Sequence, residues 1–406
     1  MRVGLSLVIV LFVFSGCFMS KTVQLAKGGE LNASTVYQEF DFEYFKGMIY
    51  VPVQIEGETY NFMFDSGAFM NVISVELAAK LNLKEGTTSN VKSSSGRKQE
   101  SGFVALPSIW IDGVEFIETG TIIQDLAGLN LFLGCHEIDG IIGNNLMRKA
   151  NWQIDYENQK IRFTDQPEKL HFSEEAHIIP ISKKKWGNKH LEILINGEEG
   201  YYTFDTGFSG YIQNDSKFLK KLEANNDLEF VTSKGLLSAD LFGATYSETK
   251  YVAIESLELE GINVQDLYMK FKDDASSLLG NEFYEHFQLT MDWANQRVIL
   301  DPVKQVYTDT LEVFELIIAP NYEINRLEVK GVWLEHVLEN TIEIGSTIIK
   351  IQGEDVSHFS KEELCDYWNN SWEVLKKREK IAVELEHNNS TKVVMLNKEV
   401  LLPKLN

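Results

Sequence analysis

Two short runs hold the residue types from which hydrolytic chemistry can be built. Phe64-Asp65-Ser66-Gly67 and Phe204-Asp205-Thr206-Gly207 stand 140 residues apart. In each, an aspartate follows an apolar, strand-like stretch and precedes a glycine, so it sits on a turn whose backbone amides can reach its oxygens. Two such turns facing each other bring two carboxyl groups to close range. Both cannot ionise there, so the pair shares a proton. The ionised member can take a proton from water while the protonated member hydrogen-bonds a substrate carbonyl. That adds water to an amide with neither a metal nor a covalent intermediate. A lone Asp-Ser/Thr-Gly arises by chance roughly 0.2 times in a chain of this size and is mostly a plain turn. A pair in matching surroundings argues for more.

The surroundings match over long stretches. Ile55-Glu56-Gly57-Glu58 with Phe64-Asp65-Ser66-Gly67 recurs as Ile195-Asn196-Gly197-Glu198 with Phe204-Asp205-Thr206-Gly207. Each copy reads as a strand, a glycine turn and a second strand that runs into the aspartate. Further on, Ile141-Ile142-Gly143-Asn144 matches Leu278-Leu279-Gly280-Asn281 at an offset of 137, and Asp155–Ile161 matches Asp292–Val298 at the same offset. Between these blocks, 74–83 and 215–224 have helix-start and helix-period character. Segments 89–106 and 230–254 read as glycine-bearing hairpins. The economical explanation is a duplicated β-rich unit of about 130 residues, close to the usual size of one domain.

These motifs resemble those of aspartic peptidases of the pepsin and retropepsin type. The resemblance covers roughly 45–303. It implies that Asp65 and Asp205 are the catalytic pair, that Ser66 and Thr206 cross-brace the two loops, and that Gly67 and Gly207 close them. It also implies that Gly143 and Gly280 belong to the apolar-apolar-Gly segments completing each lobe. The implied fold is mostly β: two tandem retropepsin-like lobes of the closed-barrel kind in one chain, monomeric with respect to the active site, acting on extended polypeptides without a cofactor. Phe208 departs from the pattern, since a small residue such as Ala68 is usual there. Tyr246, on the second hairpin, reads as an ordinary strand tyrosine rather than a flap tyrosine. A peptide-binding protein without activity and a structural envelope scaffold are the alternative readings.

The remaining sequence supplies context. Met1-Arg2 and the apolar run Leu5–Phe14 form a signal segment; ten residues rise only about 15 Å, too short to cross a bilayer. Phe14-Ser15-Gly16-Cys17 resembles a bacterial lipobox, which implies lipidation of Cys17 and a lipid-anchored protein on the periplasmic or surface side of the envelope. With 38 basic and 60 acidic residues the net charge is −22, so a nucleic-acid partner is disfavoured. Three cysteines make no disulfide framework, and stability is expected from packing alone. His136-Glu137 with Asp139 lacks metal-ligand spacing and reads as a loop, so no metal site is expected.

Beyond 310 the pattern changes. Leu327–Val337 reads as a strand pair around Lys330-Gly331, Glu362–Lys376 as a helix, and Ile381–Leu385 with Lys392–Leu396 as a hairpin. Ile344-Gly345-Ser346-Thr347-Ile348-Ile349-Lys350-Ile351-Gln352-Gly353 resembles a PDZ-domain stretch, without a clear carboxylate-binding loop. The expected organisation is a signal peptide (1–16), a polar tether (17–40), a first lobe (41–170), a second lobe (175–303) and a PDZ-like α+β module (310–406).

Overall fold

The computed structural model describes residues 21–183, 189–306, 310–336 and 338–402. Cys17 and the signal segment lie outside them. Strands hold 52% of the residues and helices 15%, so the chain is mostly β.

Tight turns set up the two equivalent strand pairs. Met48–Ile55 joins Glu58–Phe64 through Glu56-Gly57, with φ of 52° and 84°. Lys189–Ile195 joins Glu198–Phe204 through Asn196-Gly197, with φ of 47° and 77°. Positive φ at both central positions matches the twist of the flanking strands.

From these pairs the backbone follows one path twice. Glu58–Phe64 lies parallel to Gly140–Ile142, which lies antiparallel to Asn71–Ser74. That strand runs parallel to Val114–Gln124, which pairs with Lys98–Ile111, and Trp110 returns the path to Gln54 of the first strand. In the second copy Glu198–Phe204, Leu278–Leu279, Ile212–Asp215, Ile262–Lys272 and Gly243–Leu259 take the same places. There the return is Ile195 opposite Leu257. The short helices fall where the sequence puts helix starts. Val75–Lys80 is capped by Ser74 and Ser216–Glu223 by Asp215, each side chain accepting a backbone N–H that the first turn leaves free.

A six-stranded sheet joins the copies. Its order is Tyr37–Asp41, Lys160–Thr164, Asn151–Asp155, Phe287–Asp292, Arg297–Pro302, His177–Pro180. At its centre Gln153 faces Thr290. These two residues are 137 apart and occupy equivalent places in the repeat, so a local two-fold axis passes between them. One apolar cluster runs continuously from Val36 to Leu300.

The stretch expected as a tether is part of this framework. Residues 21–27 are helical, Glu30–Leu31 pairs with Ile117 and Phe116, and Tyr37–Asp41 pairs along its whole length with Lys160–Thr164. Val36 and Phe40 are buried at 3% and 8% exposure. An edge strand keeps a polar outer face, which is why it passes for a linker in sequence.

The C-terminal residues build a separate apolar cluster, from Phe314 to Leu396. Here the expected strand pair is one strand, Arg326–Trp333, paired with Leu316–Asn321. Lys330-Gly331 is interior rather than a turn: Gly331 faces Gly235 of the second hairpin, and a β-carbon on Gly235 would overlap the Lys330 carbonyl oxygen. Glycine marks a close backbone approach here. Packing is also not the sole source of cohesion, because Cys135 and Cys365 form a disulfide with Cα atoms 5.7 Å apart. Nothing in the spacing of two cysteines 230 residues apart announces a pair.

Candidate functional site

Each motif aspartate stands where its strand leaves the sheet. Asp65 N donates to Ile142 O at 3.0 Å, and Asp205 N to Leu279 O at 3.1 Å, so the apolar-apolar-Gly strands hold both backbones in the same way. Asp65 Oδ1 accepts the amides of Gly67 (2.7 Å) and Ala68 (2.9 Å). Asp205 Oδ1 accepts the Gly207 amide at 2.9 Å, and the Phe208 amide donates to the Asp205 backbone oxygen at 3.3 Å.

The two carboxyl groups are hydrogen-bonded to each other. Asp205 is buried and Asp65 half-buried. Burial raises the pKa of both, partly offset at Asp65 by the amides of Ala68 and Gly67 and by the Asp205 hydrogen bond. At Asp205 burial is joined by the adjacent negative charge of Asp65, which holds its pKa well above the ordinary 3.8. A pair so placed keeps one proton between two carboxylates.

The hydroxyl residues bind the loops crosswise. Ser66 N donates to Thr206 Oγ1 and Thr206 N to Ser66 Oγ, both at 2.9 Å. Ser66 Oγ donates on to Phe204 O at 2.9 Å and Thr206 Oγ1 to Phe64 O at 2.8 Å. All four bonds are buried, so breaking one leaves an unpaired polar group. Gly67 and Gly207 are needed for space, since a β-carbon on either would overlap the opposing aspartate carboxyl. Gly143 and Gly280 press on the backbones of Met70 and of Phe208 and Gly210, leaving no room for a side chain.

Two residues escaped the sequence reading. Asn144 Nδ2 donates to Ser66 O, and Asn281 Nδ2 to Thr206 O at 2.7 Å and Gly47 O at 2.8 Å. Tyr156 OH donates to Asn281 Oδ1 at 2.8 Å. Their recurrence within the repeated Ile-Ile-Gly-Asn and Leu-Leu-Gly-Asn blocks was the available signal.

Phe208 is accommodated beside the pair. Its ring lies over Gly210 and Gly280, where a β-carbon on either glycine would overlap it. Tyr246 is 55% exposed on the second hairpin. Asp155 and Asp292 are turn residues: each accepts the amide of the asparagine three residues on at 3.0 Å, and Asp292 also accepts Arg297 Nε at 2.7 Å.

His136 stacks on Phe45 at 3.8 Å and contacts Glu43, while Asp139 accepts the Asn61 amide, so this loop is structural. Among the described residues, Glu315, His336 and Glu399 place ligand-type atoms within 4.8 Å of one another. His336 Nδ1, however, accepts the Leu338 amide, so in the neutral ring the proton sits on Nε2, facing the carboxylates. A ring nitrogen that carries its proton is not presented as a metal ligand.

No curated protein matches the chain. Residues 51–146 match the family model described as aspartyl protease, a span that contains Asp65-Ser66-Gly67 and Ile142-Gly143. The match supports an aspartic peptidase domain over those residues, and hence a peptidase at the general level.

Proposed function

We propose that the protein is an aspartic endopeptidase whose reacting groups are Asp65 and Asp205. The observation that carries the reading is the reciprocal contact of the pair: each carboxyl lies against the opposing glycine and hydrogen-bonds its counterpart. With one proton shared, the ionised carboxyl takes a proton from water as its oxygen adds to the scissile carbonyl carbon. The protonated carboxyl donates to the carbonyl oxygen. The cross-bonded Ser66 and Thr206 hold the two loops at fixed separation, so little is lost to reorganisation in the reaction. Phe208, resting on two glycines, leaves the turn hydrogen bonds of Asp205 in place, which supports activity over a binding role alone.

In this reading 41–170 and 175–303 are tandem retropepsin-like lobes, and the identical pairing paths support it. The module after 310 is PDZ-like, with its own apolar cluster in favour. We further propose that Cys17 is lipidated and anchors the protein to a bacterial envelope membrane, on its periplasmic or cell-surface side, where it cleaves extended polypeptides. Cleavage of an unstructured protein, with inhibition by a statine-type mimic of the tetrahedral intermediate, tests the activity. Release from the membrane fraction on Cys17→Ala tests the anchor.

A further inference from the structure

One turn of the first copy touches both the C-terminal module and the loop that carries Asp205. Glu43–Phe45 folds back on Met48–Ile55 through Lys46-Gly47, with φ of 47° and 77°. Positive φ at both central positions makes this a tight reversal.

Lys46 meets the module. Its Nζ sits 4.9 Å over the Trp368 ring and 5.2 Å over that of Phe45, an ammonium group held by two aromatic rings. Trp368 belongs to the helical run 361–375, at a stretch, Tyr367–Ser371, that widens to a π-helix. Such turns are uncommon and recur at functional sites. About one turn earlier in that run stands Cys365, bonded to Cys135. Phe45 stacks at 3.8 Å on His136, the next residue in the chain after Cys135. The module therefore holds the turn at Lys46 directly and at Phe45 by way of the disulfide-bearing loop.

Gly47 meets the Asp205 loop. A β-carbon at position 47 would come within 2.8 Å of the Ser209 β-carbon. The Gly47 carbonyl accepts Asn281 Nδ2 at 2.8 Å, and that same nitrogen donates to Thr206 O at 2.7 Å. Asn281 N donates to Phe208 O at 2.9 Å. Thr206, Phe208 and Ser209 all lie within four residues of Asp205. The strand entering the turn adds a second tie. Tyr44 OH donates to Glu285 Oε2 at 3.0 Å, and its ring lies 5.3 Å from that of Tyr156, which donates to Asn281 Oδ1. Asn144, the counterpart at the Asp65 loop, bonds Ser66 O through Nδ2, and its Oδ1 has no hydrogen-bond partner among the described residues.

We infer that the C-terminal module completes the active site, with Lys46 the positioning residue that passes its hold, through Gly47 and Asn281, to the Asp205 loop. The inference rests on the assignment of Asp65 and Asp205 as the reacting pair. Asn281 bonds Gly47 O and Thr206 O together only while the turn stands where the module fixes it. Should the turn recede, a buried donor loses an acceptor, and the loop shifts or leaves it unpaired. Reacting groups displaced by about 1 Å lose about 100-fold in rate, so a small shift suffices.

Steady-state cleavage of a peptide by the full chain, alongside hydrogen–deuterium exchange, tests this on variants shown to be folded. Lys46→Gln is expected to lower kcat about fivefold with KM unchanged, and Lys46→Arg, which keeps a cation over the rings, to restore most of it. Trp368→Ala should give the same loss, and the double variant no more than either alone, because both remove one contact. Exchange across 205–210 should quicken about fivefold in Lys46→Gln, with 65–70 unchanged. Unchanged exchange at 205–210, equal loosening at 65–70, additive losses in the double variant, or a loss that Lys46→Arg does not restore would each overturn the inference and leave the catalytic pair standing. If the exchange pattern appears but the wild type cleaves nothing, the coupling of module to loop stands and the catalytic assignment falls.

Discussion

Gly207 lies against the carboxyl group of Asp65, so closely that a β-carbon at position 207 would overlap it, and Gly67 stands in the same relation to Asp205. Neither glycine has a positive φ, so each is required for the space it leaves, not for its backbone conformation. Gly207→Ala and Gly67→Ala should therefore push the carboxyls apart. Each should lower turnover per folded molecule about 100-fold, as small misplacements of reacting groups do. Destabilisation should be modest, about 1–3 kcal/mol. Gly57→Ala, at a turn with φ of 84° and open space around it, is the control: it should cost stability and leave turnover intact. Thermal unfolding alongside peptide cleavage separates the cases.

The pair should also write its protonation into stability. The pKa of Asp205 is raised well above 3.8 in the folded protein, by burial and by Asp65. A carboxyl raised on folding contributes stability that is complete below its unfolded value and is lost as pH rises through the folded value. At neutral pH the pair thus costs stability, and Asp205→Asn removes that cost. The Tm of Asp205→Asn relative to wild type should climb as pH goes from about 3 to about 8. A constant difference across that range would show that the carboxyl is not raised.

Asn281 and Asn144 should differ despite their equivalence. Asn281 serves Thr206 O, Gly47 O and Tyr156 OH, whereas Asn144 Nδ2 serves Ser66 O. Each buried group left unpaired costs about 1–3 kcal/mol. Asn281→Ala should be the more destabilising of the two in urea unfolding, with turnover reduced in both.

The C-terminal module should prove harder to remove than its separate core suggests. Peptide mapping without reductant should recover Cys135 linked to Cys365, and Cys365→Ser should cost about 2–4 kcal/mol. Ending the chain near Val303 would leave the Ser233–Gly235 edge unpaired. The truncated protein should still unfold cooperatively, yet self-associate through that edge, which sedimentation would reveal.

Much of the arrangement around the pair was legible because duplication left it in the sequence twice. Two Asp-Ser/Thr-Gly turns stand 140 residues apart and two apolar-apolar-Gly strands 137 apart, with a glycine hairpin between them in each copy, and their positions in space follow from that repetition. What escaped has physical reasons. The strand Tyr37–Asp41 hides its register behind polar outer residues, with only Val36 and Phe40 to mark the buried face. Lys330-Gly331 passes for a turn because a glycine needed for close approach looks the same in sequence as one needed for φ. The Cys135–Cys365 bond joins residues brought together only by tertiary packing. Arg97 pairs with Asp240 across the two copies, yet the equivalent positions hold Leu237 and Phe103, so no offset points to it.

The paired-aspartate mechanism is tested most directly by cleavage of an unstructured polypeptide with wild type, Asp65→Asn and Asp205→Asn, each shown to be folded. Asp155→Asn and Asp292→Asn are the matched controls, since both aspartates are symmetry-related but bonded into turns. The account predicts that either change in the pair lowers turnover by about a thousandfold or more, because the single carboxyl left cannot serve as base and acid on the same water. The controls should lose stability rather than turnover. Near-normal turnover by folded Asp205→Asn would contradict the account, leaving Asp65 to act with some other group.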